Sequence, residues 1–224
     1  MQRVAQALLD YGYNQLTMGG LARACDLTPR ALYYHFKSKE DAFRETLRWN
    51  HVREIRNGWE AGRAKLSEGG DALDVIVAIL DRRFGDARRN LERSPHASEL
   101  NVEAFHRCRE VIEESAAVFQ AGLAEVLIDL EKRGLIRLRP NQTPVVVAQL
   151  LADGARGVNQ TLPTRTASTL AERYARMCEA LMYGFCELPA SANRRVPTPR
   201  AAPAKRSMAA RPKARKRSDA QESG

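Results

Sequence analysis

Residues 16–43, LTMGGLARACDLTPRALYYHFKSKEDAF, decide the fold. Thr17 is placed to cap a short helix whose Leu21, Ala22 and Cys25 face inward, because its side-chain oxygen can accept from the unpaired N–H groups of a first turn. Asp26 stands where the chain must turn, and aspartate tolerates a left-handed backbone. Leu27 closes the turn. Thr28-Pro29 then opens a second short helix: Thr28 caps it, and Pro29 takes the first helical position, where no N–H is needed. At about 100° per residue, Leu32 and Phe36 fall on one side of that helix, with Arg30, Tyr33, Tyr34 and Lys37 on the other. Two short helices joined by a tight turn, the second presenting guanidinium, phenol and ammonium groups, match the helix-turn-helix that enters a DNA major groove. A charged outer face is most often only solvated. Two adjacent tyrosines on that face weigh against this plain explanation, because solvation is better served by Lys and Glu.

Outward from this segment the chain reads as all-α. In residues 1–189, Gly, Pro, Ser and Asn punctuate helical periodicity, and no alternation of apolar and polar residues is long enough for a sheet. Val4, Leu8 and Tyr11 share one face of a first helix that stops at Gly12. After the two short helices, Ser38 and Asp41 resemble a capping box at the start of a long helix running to about residue 64. Further helices are expected over 72–91, over 102–133 as one uninterrupted rod capped by Gly134, over 145–162 and over 167–188. The last two combine bulky and small residues in broad stripes. These either build a four-helix interface between two chains or pack inside one subunit, and the stripes by themselves favour neither.

Composition bounds the class. With 44% hydrophobic residues among 224, the chain can bury a real core, and it holds no run of apolar residues long enough for a membrane span. The first residues lack the pattern of a secretory signal. The four cysteines (Cys25, Cys108, Cys178, Cys186) form neither a Cys-x-x-Cys pair nor a zinc spacing, so a reduced, cytoplasmic protein without metal or cofactor is expected. The net charge of +9 is concentrated in residues 190–224, where ten Lys and Arg face two acidic residues, a balance of +8 that leaves +1 for the rest. With four prolines and almost no large apolar side chain, this tail is expected to be disordered.

Over residues 3–48 the sequence resembles the TetR family of bacterial transcriptional repressors. The resemblance is carried by Gly12-Tyr13, Leu16-Thr17, Leu21-Ala22-Arg23-Ala24, Leu27-Thr28-Pro29 and above all Leu32-Tyr33-Tyr34-His35-Phe36-Lys37-Ser38-Lys39-Glu40. Gly19 and Gly20 depart from the family pattern, standing where better helix formers are normal. The resemblance implies an N-terminal three-helix DNA-binding domain (1–48), a C-terminal helical domain for effector binding and dimerisation (49–189), and here the basic tail (190–224). It implies that Thr17, Thr28, Tyr33 and Lys39 grip phosphates, and that Pro29, Arg30, Tyr34 and His35 approach base edges or the neighbouring backbone. Arg30 is the one side chain of this set able to make a bidentate contact with guanine.

The expectation is therefore a homodimeric, non-enzymatic regulator that binds a palindromic double-stranded DNA operator and is released by a small-molecule effector, with no membrane partner. Trp59, Phe84, Phe105, His106, Cys108 and Phe119 are candidate pocket residues, because aromatic and mildly polar groups suit an apolar effector. Val147, Leu151, Gly154, Ala155, Val158, Met177, Leu181 and Phe185 are candidate dimer residues. The alternative is an architectural nucleic-acid binder that works through the basic tail. A catalytic reading finds little footing: His96, Glu99, His106 and Cys108 lie near one another, but their spacing fits no metal or nucleophile motif.

Overall fold

The computed structural model describes residues 1–160 and 166–189. The tail of 190–224 and the expected helix end at Leu162 lie outside the described residues. Helix α1 (Gln2–Gln15) is kinked at Gly12, where φ is 73° and ψ is 171°. Helix α2 (Met18–Ala24) is capped by Thr17, whose Oγ1 accepts from Gly20 N at 3.0 Å. Asp26 turns the chain at φ 57°. Helix α3 (Pro29–His35) is capped by Thr28, whose Oγ1 accepts from Ala31 N at 3.1 Å. Leu8, Leu21, Leu32 and Phe43 are among the residues of a first hydrophobic cluster.

Helix α4 (Lys39–Ser67) is 29 residues long, or about 43 Å at 1.5 Å per residue. Ser38 Oγ accepts from Asp41 N at 3.1 Å, and Asp41 Oδ2 accepts from Lys37 N at 2.9 Å. Its first turns place Ala42 and Phe43 in the first cluster, and Ile55 further along belongs to a second. That second core gathers helices α5 (Ala72–Leu80), α8 (Arg109–Lys132), α9 (Pro144–Asn159) and α10 (Leu170–Phe185). Helices α6 (Asp86–Glu92) and α7 (Ala97–Arg107) link the two halves of the sequence.

Three features depart from the sequence expectations. The rod over 102–133 is broken at Cys108, where φ is −132° and ψ is 31°. Cys108 is fully buried in the first cluster with Leu100 and Val111, so the break seats α7 against α1. Polar ties fix that seat: Ser94 Oγ donates to Leu9 O at 2.6 Å, and Asn14 N donates to Glu99 Oε1 at 2.6 Å. Second, the helix over 72–91 contains a π-helical turn, Asp81–Gly85. An Asp81–Arg89 ion pair of 2.9 Å crosses Gly85, where a Cβ would stand 2.3 Å from Asp81 Oδ1. Third, β1 (Arg137–Leu138) pairs antiparallel with β2 (Cys186–Glu187), Arg137 opposite Glu187. Two residues are too few for alternation to reveal them.

Candidate functional site

Helix α3 is divided by burial. Leu32 is fully buried and Phe36 nearly so, anchoring the helix in the first cluster, while Tyr34 is 88% and Tyr33 55% exposed. Pro29, Arg30, His35 and Lys37 are also exposed, as are the two capping residues Thr17 and Thr28. The Tyr34 and His35 rings meet edge to face at 5.5 Å. All of the expected DNA-contact residues other than Lys39 are thus exposed. Lys39 stands apart from them: its Nζ donates to Tyr13 O at 2.9 Å and sits 4.3 Å over the Tyr13 ring, so this ammonium reaches outward only with its remaining N–H groups. An unanticipated tie holds the turn, with Arg3 Nη1 donating to Cys25 O and Asp26 Oδ2, both at 2.8 Å.

A cavity of about 800 Å³ lies between the two cores, walled by α1, α4, the π-helical turn and α6 to α9. Of the expected pocket residues, Phe84, Phe105 and Phe119 line it. The other three do not. Trp59 stacks on the far side of Phe119, ring centroids 5.0 Å apart, and lines a separate cavity of about 250 Å³. His106 is exposed, and Cys108 is buried in the first cluster because the helix breaks there. Phe84 meets Phe119 edge to face at 5.3 Å.

The polar part of the cavity wall was not singled out by sequence reasoning. Arg83, carried inward by the π-helical turn, donates from Nη1 to Glu54 Oε2 at 2.7 Å and from Nη2 to Ser115 Oγ at 3.1 Å. Burial raises the Glu54 carboxyl to about 7, with Arg83 offsetting only part of the cost. His51, one turn earlier on α4, is held neutral, its pKa lowered to about 4 by burial and then by Arg83. Tyr174 Oη donates to Asn159 Oδ1 at 2.6 Å, and Asn159 Nδ2 donates to Phe84 O at 3.2 Å, joining α10, α9 and the π-helical turn at the cavity's edge. An internal basic residue on an apolar helix face was the available signal. Only the tertiary packing shows that Arg83 faces inward.

With this geometry in view, the model of the bacterial regulatory proteins of the tetR family matches residues 4–46, which span α1 to the first turns of α4. Over these residues the chain is similar to that family. The HTH-type transcriptional regulator AcrR of Shigella flexneri is 28% identical over 123 residues, covering 49% of this chain and 47% of that relative. The chain therefore spans about half the length of the curated relative it matches. In fold, it is similar to a TetR-family transcriptional regulator structure from Mesorhizobium loti, at TM-score 0.62 and 18% identity over 82% of this chain and 93% of that one. A second such structure, from Rhodococcus sp., has a TM-score of 0.61 and 19% identity over 81% and 95%.

Helices α9 and α10 use much of their apolar surface internally. Val147, Leu151 and Ala155 have zero exposure inside the protomer, so no partner chain can reach them as the protomer stands. Gly154, Val158, Met177, Leu181 and Phe185 are partly exposed. Gly154 permits close approach of α9 and α10, since a Cβ there would lie 2.8 Å from Met177 Sδ. Val145 and Val146, which sequence reasoning passed over, keep 66% and 46% exposure, and Leu150 of the same apolar stripe keeps 38%. Among the described residues, no helix is long and apolar enough to cross a membrane.

Proposed function

We propose that the protein is a cytoplasmic, homodimeric repressor that reads a palindromic operator through α3 and is released by a small molecule in the 800 Å³ cavity. The observation that carries the proposal is the division of α3: a buried Leu32 fixes the helix while Arg30, Tyr33, Tyr34 and His35 stand open on its other side. In this reading Thr17, Thr28, Tyr33 and Lys39 hold phosphates and set register, while Pro29, Arg30, Tyr34 and His35 approach base edges or the neighbouring backbone. Residues 1–48 form the DNA-binding domain and 49–189 the effector and dimer domain. The dimer pairs α9 and α10 with their symmetry mates through Gly154, Val158, Met177, Leu181 and Phe185, joined by Val146 and Leu150.

The cavity supports regulation because α4 borders it with His51 and Glu54 and reaches the first core with Phe43. A ligand that fits only one setting of these helices changes the separation of the two recognition helices, which must match one helical turn of DNA, about 34–36 Å. Selection of bound duplexes from a random library tests the reading. An enriched inverted repeat, lost in Tyr34→Ala, supports it, and uniform recovery of all sequences refutes it.

A second reading, an architectural binder, is favoured by the +8 charge of residues 190–224. It predicts DNA affinity that survives substitutions in α3 and disappears with the tail.

A further inference from the structure

The charge of the cavity wall is unbalanced in a way that the effector reading alone does not require. Arg53, Arg83, Arg88 and Arg93 contribute to the lining, against Asp10 and Glu54. Arg156, also in the wall, is already paired with Asp153, which is not. Arg53 is met by Asn50 Oδ1 at 3.1 Å and by the face of Trp49 at 4.5 Å, both neutral partners. Arg83 is the deepest of these cations, its side chain 7% exposed. It carries an Nε–H without a hydrogen-bond partner, and His51 Nδ1 nearby is equally unpartnered. Buried polar groups are seldom left so, and the unmet Arg83 donor beside the cavity points to packing that an acceptor on a ligand completes. Beside it the wall is apolar and aromatic, with Phe84 and Phe119, whose ring centroids lie 4.9 and 5.8 Å from the Arg83 guanidinium, and with Phe105, Leu47 and Ile112.

We propose that the cavity takes an amphipathic organic carboxylate, its apolar body against Phe84, Phe105 and Phe119 and its head group toward Arg83. This rests on the reading of the cavity as an effector site and adds the ligand's charge. A cation would meet an excess of guanidinium groups, and a neutral ligand would leave that excess unanswered. Glu54 is the internal competitor: it occupies one edge of the Arg83 guanidinium, and the incoming carboxylate shares or displaces it.

The test uses the full chain without DNA and three fluorescent probes with one body: 1-pyrenebutanoate, 1-pyrenebutanamide and 1-pyrenebutylammonium. Titration is expected to give at least tenfold tighter binding of the carboxylate than of the amide, with the ammonium weakest. Glu54→Gln, which frees Arg83, is expected to tighten carboxylate binding three- to tenfold and leave the amide within twofold. Arg83→Gln is expected to reduce the carboxylate preference below threefold. Should that variant fail to fold, Glu54→Gln still decides. Equal binding of carboxylate and amide, tighter binding of the ammonium, or no gain in Glu54→Gln overturns the proposal. Operator release is measured separately. A carboxylate preference without release keeps the ligand class and removes the regulatory role, whereas release by the ammonium alone does the reverse.

Discussion

Replacing Gly12 by alanine tests how α1 is fastened to the helices around the cavity. Gly12 has φ 73° and ψ 171°, a region open essentially to glycine alone, and forcing another residue there costs about 1–3 kcal/mol. The new methyl would also stand 2.6 Å from Glu99 Oε2 and 2.8 Å from His96 Nδ1, too close for either to stay. Glu99 is the residue whose Oε1 accepts from Asn14 N at 2.6 Å, so moving it sacrifices a charge-assisted bond across the α1–α7 contact. Because that bond is partly solvated, about 1 kcal/mol is a fair figure for it, giving a total near 2–4 kcal/mol. Gly19→Ala is the control. There a Cβ would find its nearest neighbour at 3.9 Å, and exchange of a helical glycine for alanine gains up to about 0.5–1 kcal/mol. Urea unfolding of the full chain, followed by circular dichroism, measures both. A Gly12→Ala protein within 1 kcal/mol of wild type would show that the kink is incidental, and the proposed fastening would have to be abandoned.

Other outcomes follow from the same geometry. Arg30→Ala should weaken operator binding by about 1–3 kcal/mol and relax one base position, read by competition with single-base variants; weakening alike at every position would make it a phosphate contact. His51 contributes stability that is complete above its ordinary pKa of 6.5 and is lost as pH falls toward about 4. Glu54, raised to about 7, acts oppositely, its contribution fading as pH rises from its ordinary 4.5. In His51→Gln the acid-side loss should therefore vanish. The wild-type advantage over this variant should shrink by roughly 2–3 kcal/mol between pH 7 and 4.5, and a constant difference contradicts the assignment. Truncation after residue 189 should keep sequence preference while making the salt dependence of binding shallower, by about 0.9 in log–log slope for each phosphate that the tail no longer neutralises; disappearance of the preference favours the architectural reading.

The segment of residues 16–43 was legible because its structure is local. Thr17 and Thr28 cap helices that begin one residue later, Asp26 adopts the left-handed turn its type permits, and the spacing of Leu32 and Phe36 fixes which side of α3 is buried. The cavity was only half legible. Phe84, Phe105 and Phe119 were found by type, but Arg83, Glu54 and His51 were not, because a charged residue on an amphipathic helix normally faces water. Cys108 shows the complementary limit. Nothing in its helix propensity demands a break, and burial against Leu100 and Val111 imposes one. For α9 the apolar stripe was correctly seen but its partner was ambiguous: periodicity marks Val147, Leu151 and Ala155 as buried without saying by which chain.

The central claim is that two copies of α3, held by one dimer, read DNA together. Analytical ultracentrifugation of the full chain on the duplex recovered by selection tests it most directly. The account predicts two chains per inverted repeat, with binding abolished when five base pairs, about half a helical turn, are inserted between the half-sites. One chain per duplex, or affinity indifferent to that insertion, contradicts it.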